Sequence, residues 1–366
     1  LKNATPIFDG GYTIGGLLGN GHSFVMRDAH GIRPAYYYIN DEVIVAASER
    51  AAIRTTFNVG ENEVQELMPG TALIVDDLGN YRIEKILDPK ERRACSFERI
   101  YFSRGSDEKI YRERIALGHH LSETVLERIA YDLKNTIFSY IPNTAEVAFY
   151  GLVKGMEEYL NKIKVERILS WGNDFTPDKL EEMVNRKIRQ EKIAIKDVKL
   201  RTFITEDANR NEMVQHVYDI TYGTVRNNED TLVVIDDSIV RGTTLKESII
   251  RMLSRLSPKK IIVVSSAPQI RYPDCYGIDM SKLGDFIAFR AAIALLKERN
   301  MEHILDQVRD QIIALEEAGN LHTENVVRQI YKPFTTLEIS DKIAQLITPE
   351  GVHVPVEVIY QTIEDL

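Results

Sequence analysis

Cysteine is almost missing, with only Cys95 and Cys275 in 366 residues. One optional pair cannot staple a chain of this length, so stability must come from a packed core, and the cysteine usage points to a reducing, cytoplasmic setting. Two thiols cannot supply the four thiolates of an iron–sulfur cluster, so none is expected within this chain. Long apolar runs are missing too. The stretches Leu232 to Ile235 and Ile261 to Val264 are strand-sized, far short of the ~18 residues a membrane span needs, so no membrane insertion is expected. Positive charge is outnumbered, with 46 lysines and arginines against 55 aspartates and glutamates. The net charge of −9 offers no field to gather nucleic acid. No methionine start or signal-type charge pattern is present at Leu1, and the sequence reads as a piece whose natural beginning lies elsewhere.

What remains is an ordinary globular composition, 44% hydrophobic and 28% charged, long enough for two or three structural units. From Gly10 to about Asp88, brief β-branched and aromatic stretches alternate with turn signals such as Gly19-Asn20-Gly21, Asn40-Asp41 and Gly79-Asn80. That rhythm predicts a β-rich unit of hairpins, ending at the charged stretch Pro89–Arg93. Beyond Cys95 strands alternate with helices, the pattern of an α/β parallel sheet with covering helices. A helix is expected from about Ile110 to Leu133, a strand over Thr136–Ile141, a helix from about Thr144 and a charged helical stretch over Pro177–Glu191. Strands follow near Arg201–Ile204 and Thr231–Ile235, then a helix over Thr244–Leu256 and a strand over Lys260–Ser265. From Leu283 to Leu346 apolar residues recur at helical spacing, including Ile287, Leu296, Ile304, Val308 and Ile312, which predicts helices packed on the core.

The chemistry concentrates in Thr231-Leu232-Val233-Val234-Ile235-Asp236-Asp237-Ser238-Ile239-Val240-Arg241-Gly242-Thr243-Thr244. A buried strand delivers two adjacent carboxylates at its C-terminal end, a turn rich in hydroxyls and containing glycine follows, and a helix begins. Open α/β sheets bind ligands at such strand ends. Unpaired amides at a helix start, with the hydroxyls of Ser238, Thr243 and Thr244, suit a phosphate dianion. Two carboxylates repel a phosphate, so their natural partners are sugar hydroxyls and a hard divalent cation. Helix capping accounts for one such residue, not for two acids and three hydroxyls around one turn. A phosphorylated ribose meets both requirements.

This stretch resembles the phosphoribosylpyrophosphate loop of type I phosphoribosyltransferases, and its wording from Asp236 to Thr244 is similar to that of the amidophosphoribosyltransferase family. Further matches run in the family's order: Phe97-Glu98-Arg99-Ile100-Tyr101-Phe102, Arg201-Thr202-Phe203-Ile204 and Ala267-Pro268-Gln269-Ile270-Arg271-Tyr272-Pro273. Upstream, Asp9-Gly10-Gly11-Tyr12, Arg27-Asp28-Ala29-His30-Gly31-Ile32-Arg33-Pro34 and Ala47-Ser48-Glu49 are similar to the last part of that family's glutaminase domain.

The resemblance implies a type I phosphoribosyltransferase sheet over residues 93–290, preceded in 1–92 by a β-rich remnant of an N-terminal-nucleophile glutaminase domain and followed in 291–366 by a mainly helical region. It implies transfer of ammonia to C1 of phosphoribosylpyrophosphate, giving 5-phosphoribosylamine and pyrophosphate in purine biosynthesis. Asp236 and Asp237 would then bind ribose and share a magnesium site with Thr144, while Ser238, Ile239, Val240, Arg241, Gly242, Thr243 and Thr244 would hold the 5-phosphate, with Arg201 also in contact. A homo-oligomer and allosteric purine nucleotides are implied as well.

Three departures qualify the resemblance. The family's nucleophilic N-terminal cysteine is replaced by Leu1, so no glutaminase activity is expected of this chain. The family's acid in the loop before Thr144 is replaced by Asn143, and the basic closing lid by Thr205–Met213, which carries Glu206 and Asp207. These last two favour an alternative reading, a regulatory paralogue that binds phosphoribosylpyrophosphate or a nucleotide without turnover. Cys95 matches a cluster-ligand position of some members, whereas Cys275 falls one place off and the paired C-terminal ligands are absent.

Overall fold

The computed structural model describes residues 1–60, 62–196, 218–273, 282–321 and 323–366. They divide into two compact units, one holding Leu1–Arg112 and the other Glu113–Tyr272 with Lys282–Leu366.

The first unit is a set of antiparallel hairpins. Strands β1 (Thr13–Leu17), β2 (Ser23–Arg27), β6 (Thr71–Val75) and β7 (Tyr81–Lys85) form a sheet in the order β1-β2-β6-β7. Strands β3 (Tyr36–Ile39), β4 (Ile44–Ala47) and β5 (Gln65–Glu66) form another, with β3 central and helix α1 (Arg50–Phe57) following β4. The turn signals read from the sequence close these hairpins: Leu18 N–H donates to His22 O (2.8 Å), Asn40 N–H to Val43 O (3.1 Å) and Asp76 N–H to Asn80 O (2.9 Å). The Arg27–Pro34 motif is a scaffold here. Arg27 is only 2% exposed, and its guanidinium donates to Arg33 O, Gly31 O, Leu67 O and the Glu66 carboxylate. Asp28 accepts from the backbone N–H of Tyr12, His30, Ile32 and Arg33, so an arginine and an aspartate satisfy a loop with few bonds of its own.

The second unit is built on a parallel five-stranded sheet. Its strands are β8 (Thr136–Tyr140), β9 (Arg189–Gln190), β12 (Thr231–Asp236), β13 (Lys260–Ser265) and β14 (Val356–Tyr360), in the order β14-β13-β12-β8-β9. A separate antiparallel ribbon pairs β10 (Ala194–Lys196) with β11 (Tyr218–Ile220). The helices are α2 (Glu108–Arg128), α3 (Glu146–Ser170), α4 (Pro177–Asn185), α5 (Ile250–Ser254, preceded by a π-helical turn over Leu245–Ile249), α6 (Ile287–Glu298), α7 (His303–Glu317), α8 (Arg328–Tyr331) and α9 (Thr336–Ile347).

The apolar runs of β12 and β13 make sense in this frame, because strands covered on both faces need no polar alternation. Val233, Ile235, Ile262 and Val264 pack with Leu121, Val125, Leu152 and Met156 of α2 and α3. Leu232, Val234, Ile261 and Val263 point the other way, among Leu253, Ala291, Ile339 and Ile343. Helices α2 and α3 cross closely: a Cβ on Gly118 would lie 1.8 Å from Ala148 O, and one on Gly151 2.0 Å from Ile115 O. Local caps fix helix starts, with Thr176 and Pro177 opening α4 and a reciprocal Thr335–Glu338 capping box opening α9.

Among the described residues the expected elements are present, with three differences. The helix expected to reach Leu133 ends at Arg128. The charged stretch expected to be helical over Pro177–Glu191 stops at Asn185, because Ile188 is buried and Arg189–Gln190 pair with β8. The run Val356–Tyr360, within a stretch read as mainly helical, is a parallel strand beside β13. The strand expected near Arg201–Ile204 lies outside the described residues.

Candidate functional site

Five parallel strands bring their C-terminal ends to one side, and the paired acids sit at the central one. Asp236 is the last residue of β12, and its carbonyl accepts from Ser266 N–H (2.9 Å). Its carboxylate accepts from Asp237 N–H (2.9 Å), which folds the backbone sharply between the two acids. The Asp237 carboxylate accepts from the Ser238 hydroxyl (2.9 Å) and faces the Thr144 hydroxyl, and Ser266 Oγ donates to Asp237 O (3.1 Å). Thr144 follows β8, the strand next to β12, and Ile141 N–H extends that pairing by donating to Ile235 O (2.9 Å). The Pro142–Asn143 peptide between them is cis.

The remaining loop residues divide by what they can offer. Ile239 is buried in the core, so only its backbone is available. Val240 O accepts from Ile287 N–H (2.8 Å), which ties the loop to the start of α6. Arg241 faces Asp285 at 3.8 Å. Gly242 adopts φ +73°, and a Cβ there would meet Ile347 Cγ2 at 2.8 Å, so the turn needs glycine for both conformation and space. Thr243 and Thr244 are exposed where the chain turns helical. Arg201 and the stretch Thr205–Met213 lie outside the described residues, as does Cys275, whereas Cys95 is a half-buried free thiol in the first unit.

The electrostatics of the pair are unfavourable as they stand. Burial pushes the Asp237 carboxyl up to about 6, against the opposing help of the Ser238 hydroxyl, the Arg114 charge and the Thr144 hydroxyl. Asp236 is pushed well above the carboxylate range, first by burial and then by the Asp237 charge, with the Asp237 N–H and Lys196 pulling the other way. Two adjacent acids that resist joint ionisation call for cationic or hydroxylic company. Among the described residues no cluster of three or more His, Cys, Asp or Glu could hold a metal alone. The oxygen donors gathered at this strand end are two carboxylates and the Thr144 hydroxyl.

Arg114, Lys196, Ser266 and Tyr360 also belong to this neighbourhood, and no local motif announces them. They come from α2, β10, the turn after β13 and β14, so the fold brings them in from distant sequence positions. Tyr360 is 8% exposed, and its phenol is pushed upward by burial and then by the Asp236 charge. The only sequence signal for it is the β-branched run that ends on it.

No family model matches the chain. The amidophosphoribosyltransferase of Pasteurella multocida is 29% identical over 279 residues, 74% of this chain and 48% of its own length. That of Escherichia coli K12 is 29% identical over 280 residues, 73% of this chain and 48% of its own length. The chain thus spans about half the length of the curated relatives it matches. Among solved structures, the glutamine phosphoribosylpyrophosphate amidotransferase of Bacillus subtilis complexed with ADP and GMP superposes with a TM-score of 0.61 at 22% identity, covering 100% of this chain and 60% of that one. By sequence over about three quarters of its residues, and by fold over all of them, the chain is similar to amidophosphoribosyltransferases.

Proposed function

We propose that this chain is a phosphoribosyltransferase of the amidophosphoribosyltransferase kind, transferring ammonia to C1 of phosphoribosylpyrophosphate to give 5-phosphoribosylamine and pyrophosphate in purine biosynthesis. The observation that carries the reading is the junction of Asp236-Asp237 with Thr144 at the end of the central strand, followed by the Ser238–Thr244 loop. In this assignment residues 1–92 are the glutaminase-type part, 93–290 the transferase and 291–366 the C-terminal region.

The residues divide the work by chemistry. Asp236 and Asp237 accept hydrogen bonds from the ribose hydroxyls, which fixes the sugar ring. Backbone amides of Ser238–Thr244 and the hydroxyls of Thr243 and Thr244 hold the 5-phosphate, with Arg201 a further contact. Ammonia forms the C1–N bond on the face opposite the pyrophosphate as the C1–O bond breaks with its electron pair leaving on the pyrophosphate; the nitrogen then loses a proton to solvent. No protein nucleophile is needed, so the chain's contribution is positioning. Magnesium fits the oxygen donors Asp236, Asp237 and Thr144, since this ion commonly takes one or two carboxylates and completes its shell with water and substrate phosphates. When bound, it neutralises charge on the leaving group.

The B. subtilis neighbour was solved with ADP and GMP, which supports purine nucleotides as regulatory ligands of this chain; a homo-oligomeric, cytoplasmic state is part of the same proposal and rests on the sequence resemblance. No helix is long and apolar enough to cross a membrane. Asn143, standing where the family has an acid, favours the second reading of a binding paralogue without turnover. The test is calorimetry of phosphoribosylpyrophosphate with magnesium, together with pyrophosphate release in the presence of ammonia. Binding that vanishes in the Asp236→Asn/Asp237→Asn variant, with turnover in the unaltered chain, supports the transferase. Binding without turnover leaves the paralogue, and unchanged binding in the double variant removes both.

A further inference from the structure

The parallel register places three side chains in one row across the strand ends. Asp236 pairs with Ser265, and Ser265 pairs with Tyr360. Side chains in register across a parallel sheet share a face. This row follows Val234, Val263 and Val358, all on the face covered by α5, α6 and α9. Tyr360 packs on that face too, whereas its neighbour Ile359 packs on the other.

The Tyr360 hydroxyl is buried and has no hydrogen-bond partner among the described residues. A phenol hydroxyl in that state costs stability, because its hydration is lost without replacement. The intervening Ser265 does not satisfy it: Ser265 Oγ donates to Ala267 O (2.8 Å) and accepts from Ala267 N–H (3.3 Å). Asp236, two strands away and about 10 Å along the row, is the acidic group this phenol can approach with its ring lying along the sheet. Gln361 holds the strand end in place, its N–H on Ser265 O (3.1 Å) and its side chain on Leu117 O (2.8 Å). The residue that carries the orphan hydroxyl is therefore fixed in the same row as Asp236.

We infer that Tyr360 is a positioning residue for ribose recognition, its hydroxyl donating to Asp236 when a ribose hydroxyl takes up the other carboxylate oxygen. The inference rests on the proposed role of the paired acids. It makes the C-terminal strand a working part of the site, and it separates the ribose end of the ligand, which depends on Tyr360, from the phosphate end, which does not.

Tyr360→Phe tests it, with ribose 5-phosphate and inorganic phosphate as probes in NMR titrations and thermal unfolding of the free protein as the structural readout. The expected result is a ribose 5-phosphate affinity lowered on the order of tenfold, the worth of one hydrogen bond to a charged group. Inorganic phosphate affinity should be unchanged and the melting temperature equal or higher. Equal loss for both probes, or a lowered melting temperature, would reduce Tyr360 to a packing residue and overturn the inference. The Asp236→Asn/Asp237→Asn variant runs alongside. If it loses ribose 5-phosphate while Tyr360→Phe keeps full affinity, the inference alone fails; if it keeps affinity, the functional reading fails as well.

Discussion

The Thr144 hydroxyl faces the Asp237 carboxylate and favours its ionised form, linking the ends of two neighbouring parallel strands across 93 residues of sequence. Their proximity brings two separate motif fragments together, so a cation or a sugar hydroxyl at Asp237 would also meet the loop that carries Thr144.

The charge of that site sets a pH dependence. The Asp237 carboxyl lies near 6 in the folded chain and in the ordinary carboxylate range when unfolded, so the folded state holds its proton more tightly. The proton-linked stability is fully present at low pH and falls as pH rises towards about 6, with no further loss above. Asp237→Asn removes that loss. Without ligand it should be more stable than the unaltered chain at pH 7–8, by on the order of 2–3 kcal/mol, and no more stable near pH 3.5. Urea unfolding at the two pH values checks this. A constant difference at both would assign the effect to packing.

Asp230 should behave in the opposite sense. It is fully buried, bonded to both Arg189 and Arg226, and held far below the carboxylate range despite its burial. Such a depressed group contributes stability above the ordinary carboxylate range and loses it as pH falls. Asp230→Asn should cost on the order of 3 kcal/mol at pH 7, with the difference narrowing below about pH 4. Thermal melts across pH 2–7 measure that convergence.

Gly242→Ala should harm both fold and binding. The φ of +73° is strained for alanine, and the new methyl meets Ile347 at 2.8 Å, so a loss of about 1–3 kcal/mol is expected together with weaker phosphate binding. In an Ile347→Ala background, which removes the contacting methyl but not the backbone strain, the cost of Gly242→Ala should shrink only in part. A Gly242→Ala cost that vanishes in that background in urea unfolding would show that φ carries no weight.

At the α2–α3 crossing, Gly118→Ala should cost at least about 3 kcal/mol, because the new methyl would overlap the Ala148 carbonyl at 1.8 Å and backbone cannot swing aside as a side chain can. Circular dichroism melts provide the check, with Ala116→Ser, elsewhere on the same helix, as the comparison.

The sequence made much of this visible because local signals and fold agree along β12: apolar residues for a doubly covered strand, two acids at its end, and glycine where φ is positive. The hairpin turns were legible for the same reason, each closing on its own residues. Tyr360, Arg114 and Lys196 were not legible, since what places them is strand register and helix crossing rather than neighbouring residues. Strand β14 was missed because five residues carry little weight after a long helical stretch, although Val356, Val358 and Ile359 spell a strand once β13 is available beside them. The same non-locality hid β9, whose two residues are a strand only because β8 lies alongside.

The placement of β14 also bears on how the chain avoids sticking to itself. Strand β13 carries four fully buried aliphatic residues in a row, Ile261 to Val264, and until residues 356–360 dock, its outer backbone N–H and C=O groups are unpaired. An unpaired, uncharged strand edge is a template for any other chain offering one. During synthesis that edge stays open for the roughly ninety residues that separate the two strands, and a chaperone that covers it would be shielding residues that end in the core.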